Sequence, residues 1–283
     1  MGSALKIGIA GLGTVGAGVV KILHSHSRLI TSRSGKLVEL KAISARSRSK
    51  DRGVSLEGLS WESDIIELAG RSDIDVFVEL IGGDGNPAKE AIETALKSGK
   101  HVITANKALL AKHGQELAEL AENNNVSLKF EAAVAGGIPA VKVLTESLAG
   151  NKINRIMGVM NGTCNYILTR METSNLPYET VFNEAQKLGY LEADPTLDTG
   201  GIDAGHKLAI LSSIAFGTQI DFKAVVTQGI ELVSIQDIEQ AREMGYRIKL
   251  LGVSQMTDEG LHQRMQPCLV SANSPIGQLE NAM

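Results

Sequence analysis

Leu5-Lys6-Ile7-Gly8-Ile9-Ala10-Gly11-Leu12-Gly13-Thr14-Val15-Gly16 decides the fold. The stretch Leu5 to Ala10 is short and apolar, as a buried strand requires. A GxGxxG turn follows at once, and Val15, Val19, Val20, Ile22 and Leu23 then recur at helical spacing. Each glycine has a physical task in this strand–turn–helix unit. Gly11 permits the turn, Gly13 leaves room for a pyrophosphate, and Gly16 lets the helix pack close to the sheet. Free N–H groups at the helix start would hold the phosphate charge. A lone GxGxxG is a weak signal, but a strand before it and a helix after it give it meaning. Gly11, Leu12, Gly13, Thr14, Val15 and Gly16 are therefore the candidate cofactor turn.

Working outward, a second strand fits Val38 to Ala45 and ends in Arg46, with Arg48 and Lys50 close behind. An NAD-selective site usually has an acidic residue there for the ribose hydroxyls. Arg46 and Lys50 instead suit the extra phosphate of NADP, although Asp51 could serve a ribose, so the expected cofactor is NADP or NAD. Ile74 to Leu80 reads as the next strand and Pro87 to Ser98 as a helix, and Gly99-Lys100-His101 leads into another strand, followed by Thr104-Ala105-Asn106-Lys107. Leu109 to Asn123 then reads as a helix and Val126 to Glu131 as a strand. The Ile74 to Leu80 strand ends in Ile81-Gly82-Gly83, which should lie at the cofactor crevice where parallel-sheet enzymes place ligands, and Thr104 and Lys107 follow the later strand. Beside a nicotinamide, the Lys107 ammonium could polarise a carbonyl or orient a carboxylate.

The second half begins with a crossover at Ala135 to Pro139, a helix over Ala140 to Leu148 and a strand over Ile153 to Met160. Asn161-Gly162-Thr163-Cys164-Asn165-Tyr166 then opens a helix through Met171, whose start, Thr163 included, can receive a carboxylate. Cys164 has no evident histidine base and reads as core. After a helix over Pro177 to Leu188 comes the densest chemistry in the chain. Glu192, Asp194 and Asp198 crowd a loop entering a helix over Asp203 to Ala215. Asp203 and Lys207 share one face of that helix, while Leu208, Leu211, Ile214 and Ala215 supply its buried face. Crowded carboxylates repel unless counter-charged, and Lys207 together with a substrate ammonium would offset that repulsion. Mg²⁺ or Ca²⁺ is the rival counter-charge. Zinc is disfavoured, because His206 has no partner at a characteristic spacing. Farther on, a helix over Ser234 to Met244 and strands over Arg247 to Ser254 and His262 to Leu269 point to a largely antiparallel or mixed sheet.

With 283 residues, 43 % of them hydrophobic and 21 % charged, the chain has material for two globular domains. No run approaches the 18 apolar residues of a membrane span, so no membrane partner is expected. A net charge of −4, with no aromatics beside the basic run Arg46 to Lys50, disfavours nucleic acid. Two cysteines and a start without a secretory layout point to a cytoplasmic protein. The expected fold class is α/β. It comprises an N-terminal Rossmann-type dinucleotide-binding domain, residues 1–135, plus an α+β substrate/dimerisation domain with a mixed sheet, residues 136–283.

Five motifs carry a resemblance: the turn Gly11 to Gly16, Thr104-Ala105-Asn106-Lys107, Glu131 to Pro139, Asn161 to Tyr166, and Gly189-Tyr190-Leu191-Glu192-Ala193-Asp194-Pro195 continuing to Asp198, Asp203 and Lys207. With them the sequence closely resembles homoserine dehydrogenase over residues 5–283. Leu191 departs from the smaller residue usual at its position. The resemblance implies NAD(P)-dependent interconversion of L-homoserine and L-aspartate 4-semialdehyde, on the aspartate route to threonine, methionine and isoleucine. It implies that Glu192 and Asp203 bind substrate, that Asp198 orients the network, and that Lys107 and Lys207 handle the proton. It also implies a homodimer and a structural sodium ion against Glu131 and the backbone of Val134, Gly136 and Ile138. Family members continue beyond the region near Ala282 with a Gly-rich segment and a returning helix, so the chain reads as C-terminally truncated. The alternative is a catalytically weak fragment acting as a dinucleotide-binding or assembly module. Another aspartate-semialdehyde oxidoreductase would need a cysteine nucleophile with a histidine base, which cannot be assembled around Cys164.

Overall fold

The computed structural model describes residues 3–191 and 194–280. The chain divides into two compact units, Met1–Ala140 and Val141–Met283. Glu192, expected to bind substrate, lies outside the described residues.

The first unit is built on a parallel sheet. Its elements run β1 (Leu5–Ala10), α1 (Thr14–Ser25), α2 (Ser27–Ser34), β2 (Val38–Ser44), β3 (Ser60–Glu62) and α3 (Ile65–Gly70). They continue as β4 (Val76–Glu79), α4 (Ala88–Lys97), β5 (His101–Thr104), α5 (Lys107–Asn123), β6 (Leu128–Lys129) and α6 (Glu131–Ala135). The six strands lie in the order β3-β2-β1-β4-β5-β6, and every pairing is parallel. Connections leave β1 toward β2 on one side and reach β4 on the other, which opens a crevice at the carboxyl end of β1. Both faces of the sheet are covered. Ile7, Ile9, Ile43, Val76 and Val78 pack with Val20 on one face, while Phe77 packs with Ile92, Leu96, Leu109 and Leu117 on the other. Burial on both faces explains why β1 and β4 read as continuous apolar runs rather than alternating ones.

Three short elements, α2, β3 and α3, lie outside the pattern expected from the sequence. Only two residues of α3 are buried, and it is fixed by a local device: the Asp64 side chain caps it by accepting the Ile66 N–H at 2.8 Å. The expected strand over Val126 to Glu131 shrinks to two residues, and Glu131 opens α6 instead of closing a strand. Lys107 is the first residue of α5, two positions earlier than the periodicity predicts.

The second unit contains α7 (Ala140–Lys142), a π-helical turn (Val143–Ser147), β7 (Arg155–Val159), α8 (Gly162–Ser174), α9 (Tyr178–Lys187), α10 (Pro195–Thr199) and α11 (Ile202–Phe216). β8 (Val225–Thr227), α12 (Ile235–Glu243), β9 (Tyr246–Thr257) and β10 (Gly260–Ser271) complete it. Its sheet has the order β7-β9-β10-β8. The β7/β9 and β9/β10 pairs are antiparallel and β10/β8 is parallel, so the sheet is mixed, as expected. The core joins Ile167, Leu168 and Met171 of α8 to Val181 of α9, Leu208 of α11 and Met265 of β10.

Two expectations are corrected here. The acidic stretch is not all loop: Pro195–Thr199 forms a helix, because Asp194 caps it by accepting the Thr196 N–H at 3.1 Å and Pro195 suits its first turn. Nor does α11 present a single apolar stripe. Ala204, Gly205, Leu208, Ala209, Ile210, Leu211 and Ser212 are all buried, whereas Ile214 and Ala215 are only half-buried. A helix that is apolar nearly all round belongs inside a core rather than on its surface.

Candidate functional sites in the two units

The glycine turn in the first unit is built by close approach. Gly11 has φ +94°, and a Cβ there would lie 2.3 Å from the Leu80 carbonyl oxygen. A Cβ at Gly16 would lie 1.9 Å from the Gly11 carbonyl oxygen, so the helix sits directly on the turn. At Gly13 a Cβ would meet nothing within 4 Å. The space beside Gly13 is therefore open, at the start of a helix whose first N–H groups have no intrahelical partner. Leu12, Thr14 and Val15 complete this turn, and Val15 is largely exposed.

Two further groups, missed in the sequence, brace the crevice. Glu79, at the end of β4, is fully buried. Its Oε1 accepts the N–H groups of Ile81 at 2.7 Å and Gly82 at 3.1 Å, and its Oε2 accepts the Thr104 hydroxyl at 2.6 Å. Thr104 in turn accepts the Asn106 N–H at 2.9 Å. Asn106 donates to the Gly83 carbonyl at 2.7 Å and caps α5 by accepting the Leu109 N–H at 3.2 Å. This chain ties the ends of β4 and β5 to the start of α5, and it occupies the Thr104 hydroxyl within the protein. Arg52 is the second brace. Its Nε donates to the Leu12 carbonyl at 3.1 Å, its terminal nitrogens bind the Lys50 and Ser47 carbonyls, and its guanidinium lies 5.7 Å from the Trp61 ring centroid. The basic loop is thereby tied to the glycine turn, with Arg46 and Lys50 exposed on it. An arginine seven residues into a loop gives no sequence sign of such a partner. A glutamate ending a buried apolar strand is the signal that could have found Glu79.

The second unit brings Asp198, Asp203 and Lys207 together. Lys207 Nζ lies 2.9 Å from Asp203 Oδ2, one helical turn back, and donates to the Met160 carbonyl at 2.9 Å. Asp198 and Asp203 are 4 % and 6 % exposed, so both carboxylates are removed from bulk water. Asn161 links them, with its Nδ2 2.9 Å from Asp198 Oδ1 and 3.5 Å from Asp203 Oδ2. The same side chain caps α8 by accepting the Cys164 N–H at 2.8 Å. Asparagine does both because its amide carries donors and acceptors together. Asn161 opens the Asn161 to Tyr166 motif, but nothing local in that motif signals its bond to a carboxylate 37 residues away. Thr163 donates to the Tyr190 carbonyl at 3.0 Å, and the Tyr190 ring meets Tyr166 edge to face at 4.9 Å.

Cys164 is core, as its sequence context suggested. Its thiol donates to the Asp198 carbonyl at 3.2 Å. Burial, followed by repulsion from Asp198 and Glu231, pushes its pKa far above the ordinary thiol range. A neutral buried thiol is no nucleophile. Among the described residues, no three His, Cys, Asp or Glu side chains are grouped as a metal ion would require.

Fold and sites together define a Rossmann-type dinucleotide-binding protein with a second, mixed-sheet unit that carries a buried carboxylate–lysine cluster. The family model described as "Homoserine dehydrogenase, NAD binding domain" matches residues 11–131, and the model described as "Homoserine dehydrogenase" matches residues 139–283. The chain belongs to the homoserine dehydrogenase family. It is 45 % identical to the homoserine dehydrogenase of Neisseria gonorrhoeae over 279 residues, covering 99 % of this chain and 64 % of that relative. The crystal structure of a homoserine dehydrogenase from Thiobacillus denitrificans superposes with a TM-score of 0.95 at 41 % identity, covering 99 % of this chain and 64 % of that one. A hyperthermophilic archaeal homoserine dehydrogenase in complex with NADPH gives a TM-score of 0.82 at 26 % identity, covering 98 % of this chain and 85 % of that one. The chain thus spans 64 % of the length of each of these two bacterial relatives.

Proposed function

We propose that this chain interconverts L-homoserine and L-aspartate 4-semialdehyde with NAD(P). The observation that carries the reading is the Lys207 ammonium held between Asp203 and the Met160 carbonyl, beside Asn161 and Asp198, in a chain of this family. An ammonium has three donors. Asp203 and Met160 take two of them, and the third serves the substrate oxygen. Lys207 therefore stabilises negative charge on that oxygen and passes it a proton as the carbonyl is reduced. Asp203 and Glu192 receive the substrate ammonium, Asp198 orients Asn161, and Thr163 lies at the helix start that receives the substrate carboxylate. Lys107, in the first unit, is the second proton-handling lysine.

The nicotinamide cofactor supplies or accepts the hydride when bound. The turn fits it, since the open space at Gly13 suits a pyrophosphate and the start of α1 presents N–H groups to its charge. Arg46 and Lys50 serve the extra phosphate of NADP, and Thr104 acts through its bond to Glu79. The same proposal includes a structural sodium ion on Glu131 and the carbonyls of Val134, Gly136 and Ile138. That all-oxygen donor set, around the chain reversal at Gly136 (φ +57°), suits a hard cation. A cytoplasmic homodimer is part of the same proposal. No helix among the described residues is long and apolar enough to cross a membrane.

A steady-state assay with homoserine and each oxidised cofactor tests the reading. Turnover with homoserine supports it; folded protein that turns over neither NAD⁺ nor NADP⁺ overturns it.

A further inference from the structure

Lys249 takes no part in the chemistry above, yet it is among the most deeply buried side chains in the protein, at 1 % exposure on β9. Its ammonium donates to Asn165 Oδ1 at 2.9 Å, to Thr169 Oγ1 at 3.4 Å and to the Leu279 carbonyl. All three acceptors are neutral. Burial holds the Lys249 pKa below the ordinary lysine value, against the attraction of Glu172 and Glu280. An apolar side chain of similar size would fill this place without the cost of desolvating a charge. The ammonium therefore calls for a task that packing does not supply, and its partners show one.

Asn165 also donates to the Leu279 carbonyl, at 3.4 Å. Two residues before Lys249 on the same strand, Arg247 donates to the Gly277 carbonyl at 3.2 Å. It also pairs with Glu280 at 2.9 Å and with Glu172 of α8 at 3.2 Å. Two cations of β9 thus fasten residues 277–280 to α8. Asn165 lies in the opening turn of that helix, and its N–H bonds the Asn161 carbonyl at 3.3 Å. Asn161 is the residue whose amide holds Asp198 and Asp203.

We propose that Lys249 is a positioning residue of the substrate site. It fixes Asn165 against the Leu279 carbonyl, and so fixes the start of α8 from which Asn161 holds the two buried carboxylates. The substrate concerned is homoserine, so this part rests on the functional reading above.

The test compares wild type with Lys249→Met, Asn165→Ala and the double variant. It measures Michaelis constants for homoserine and NADP⁺ and amide hydrogen exchange over residues 161–165. Lys249→Met is expected to raise KM for homoserine at least fivefold, to leave KM for NADP⁺ within twofold, and to speed exchange at Cys164 and Asn165 at least tenfold. The double variant should be no worse than the worse single one, because both break the same chain. A purely structural lysine would lower the unfolding temperature with KM and local exchange unchanged, and that result overturns the proposal. Additive effects of the two substitutions overturn it as well. If Lys249→Met does not fold, Asn165→Ala alone carries both readouts, and unchanged exchange at residues 161–164 then overturns the proposal. Wild-type protein without homoserine turnover refutes the functional reading, while the exchange data still decide the positioning role.

Discussion

Lys207 and Asp203 stand one turn apart on α11 with their charged ends 2.9 Å apart, and the same ammonium reaches the carbonyl of Met160. Asp203 is buried, so its charge depends on this neighbour and on Asn161 more than on water. Replacing Lys207 by Ala or Met removes the donor for the substrate oxygen and leaves a buried carboxylate short of a partner. Turnover should fall at least tenfold while cofactor affinity is retained. Stability should drop by about 1–3 kcal/mol, the usual cost of removing one partner from a buried hydrogen-bonded charge. Steady-state kinetics, cofactor titration and denaturant unfolding check the three parts. A variant with wild-type turnover removes Lys207 from the reaction.

The uneven legibility of this chain has a physical reason. The glycine turn and the Asp203/Lys207 pair were readable because their partners are close in sequence, within a turn or along one helix face. Strand β9 and helix α8 were also readable as elements, since their patterning is local. Glu79 reaches Thr104, Arg52 reaches Leu12, Asn161 reaches Asp198 and Lys249 reaches Asn165 across 25 to 84 residues of chain. No periodicity reports a contact of that range. Short elements were lost for a related reason: β3 is three residues long, and α10 is set by a cap and a proline rather than by an apolar pattern.

Glu79 offers a sharp test of the crevice. Each of its oxygens is committed to a donor, Ile81 and Gly82 on one and Thr104 on the other. Glu79→Gln would set an amide NH₂ against one of those donors inside a sealed site. A loss of about 1–3 kcal/mol in stability is expected, with weaker cofactor binding. Thr104→Val deletes two bonds, the one to Glu79 Oε2 and the one from the Asn106 N–H, and should cost a similar amount. If both variants unfold at the wild-type denaturant midpoint, the network does not brace the crevice.

The basic loop separates two kinds of cofactor effect. Arg46 and Lys50 are exposed, whereas Arg52 is tied to the Leu12 carbonyl and lies against Trp61. The double variant Arg46→Ala/Lys50→Ala should weaken NADPH about tenfold and leave NADH unchanged. Arg52→Ala should weaken both, because it loosens the turn itself. Trp61 is the only tryptophan, so its fluorescence reports both titrations. Equal losses for the two cofactors in the double variant would place the extra phosphate elsewhere.

Cys164 gives a pH signature. Its thiol stays protonated in the fold because burial and Asp198 raise its pKa, while in the unfolded chain it ionises near its ordinary 9.0. Above that pH the folded state binds more protons than the unfolded one, so stability falls as pH rises, by about 1.4 kcal/mol per unit from this group. Cys164→Ala should lose this contribution and show a shallower alkaline decline than wild type. In native protein at pH 8, iodoacetamide should leave Cys164 unlabelled. Parallel declines for the two proteins between pH 9 and 10 would contradict the assignment.

Gly13 and Gly16 differ in what a methyl group would meet, and the difference predicts opposite phenotypes. A Cβ at Gly16 would lie 1.9 Å from the Gly11 carbonyl oxygen, a rigid backbone atom, whereas at Gly13 nothing lies within 4 Å. Gly16→Ala must therefore push α1 off the turn and should destabilise the first unit with or without cofactor. Gly13→Ala disturbs no protein contact and gains slightly from reduced freedom of the unfolded chain. Its unfolding temperature should match or exceed wild type, yet its affinity for NADP⁺ should fall at least tenfold, because the methyl occupies the space left for the pyrophosphate. Calorimetry paired with cofactor titration distinguishes the two. A Gly13→Ala variant that binds NADP⁺ normally would show that the cofactor does not approach the chain at this turn.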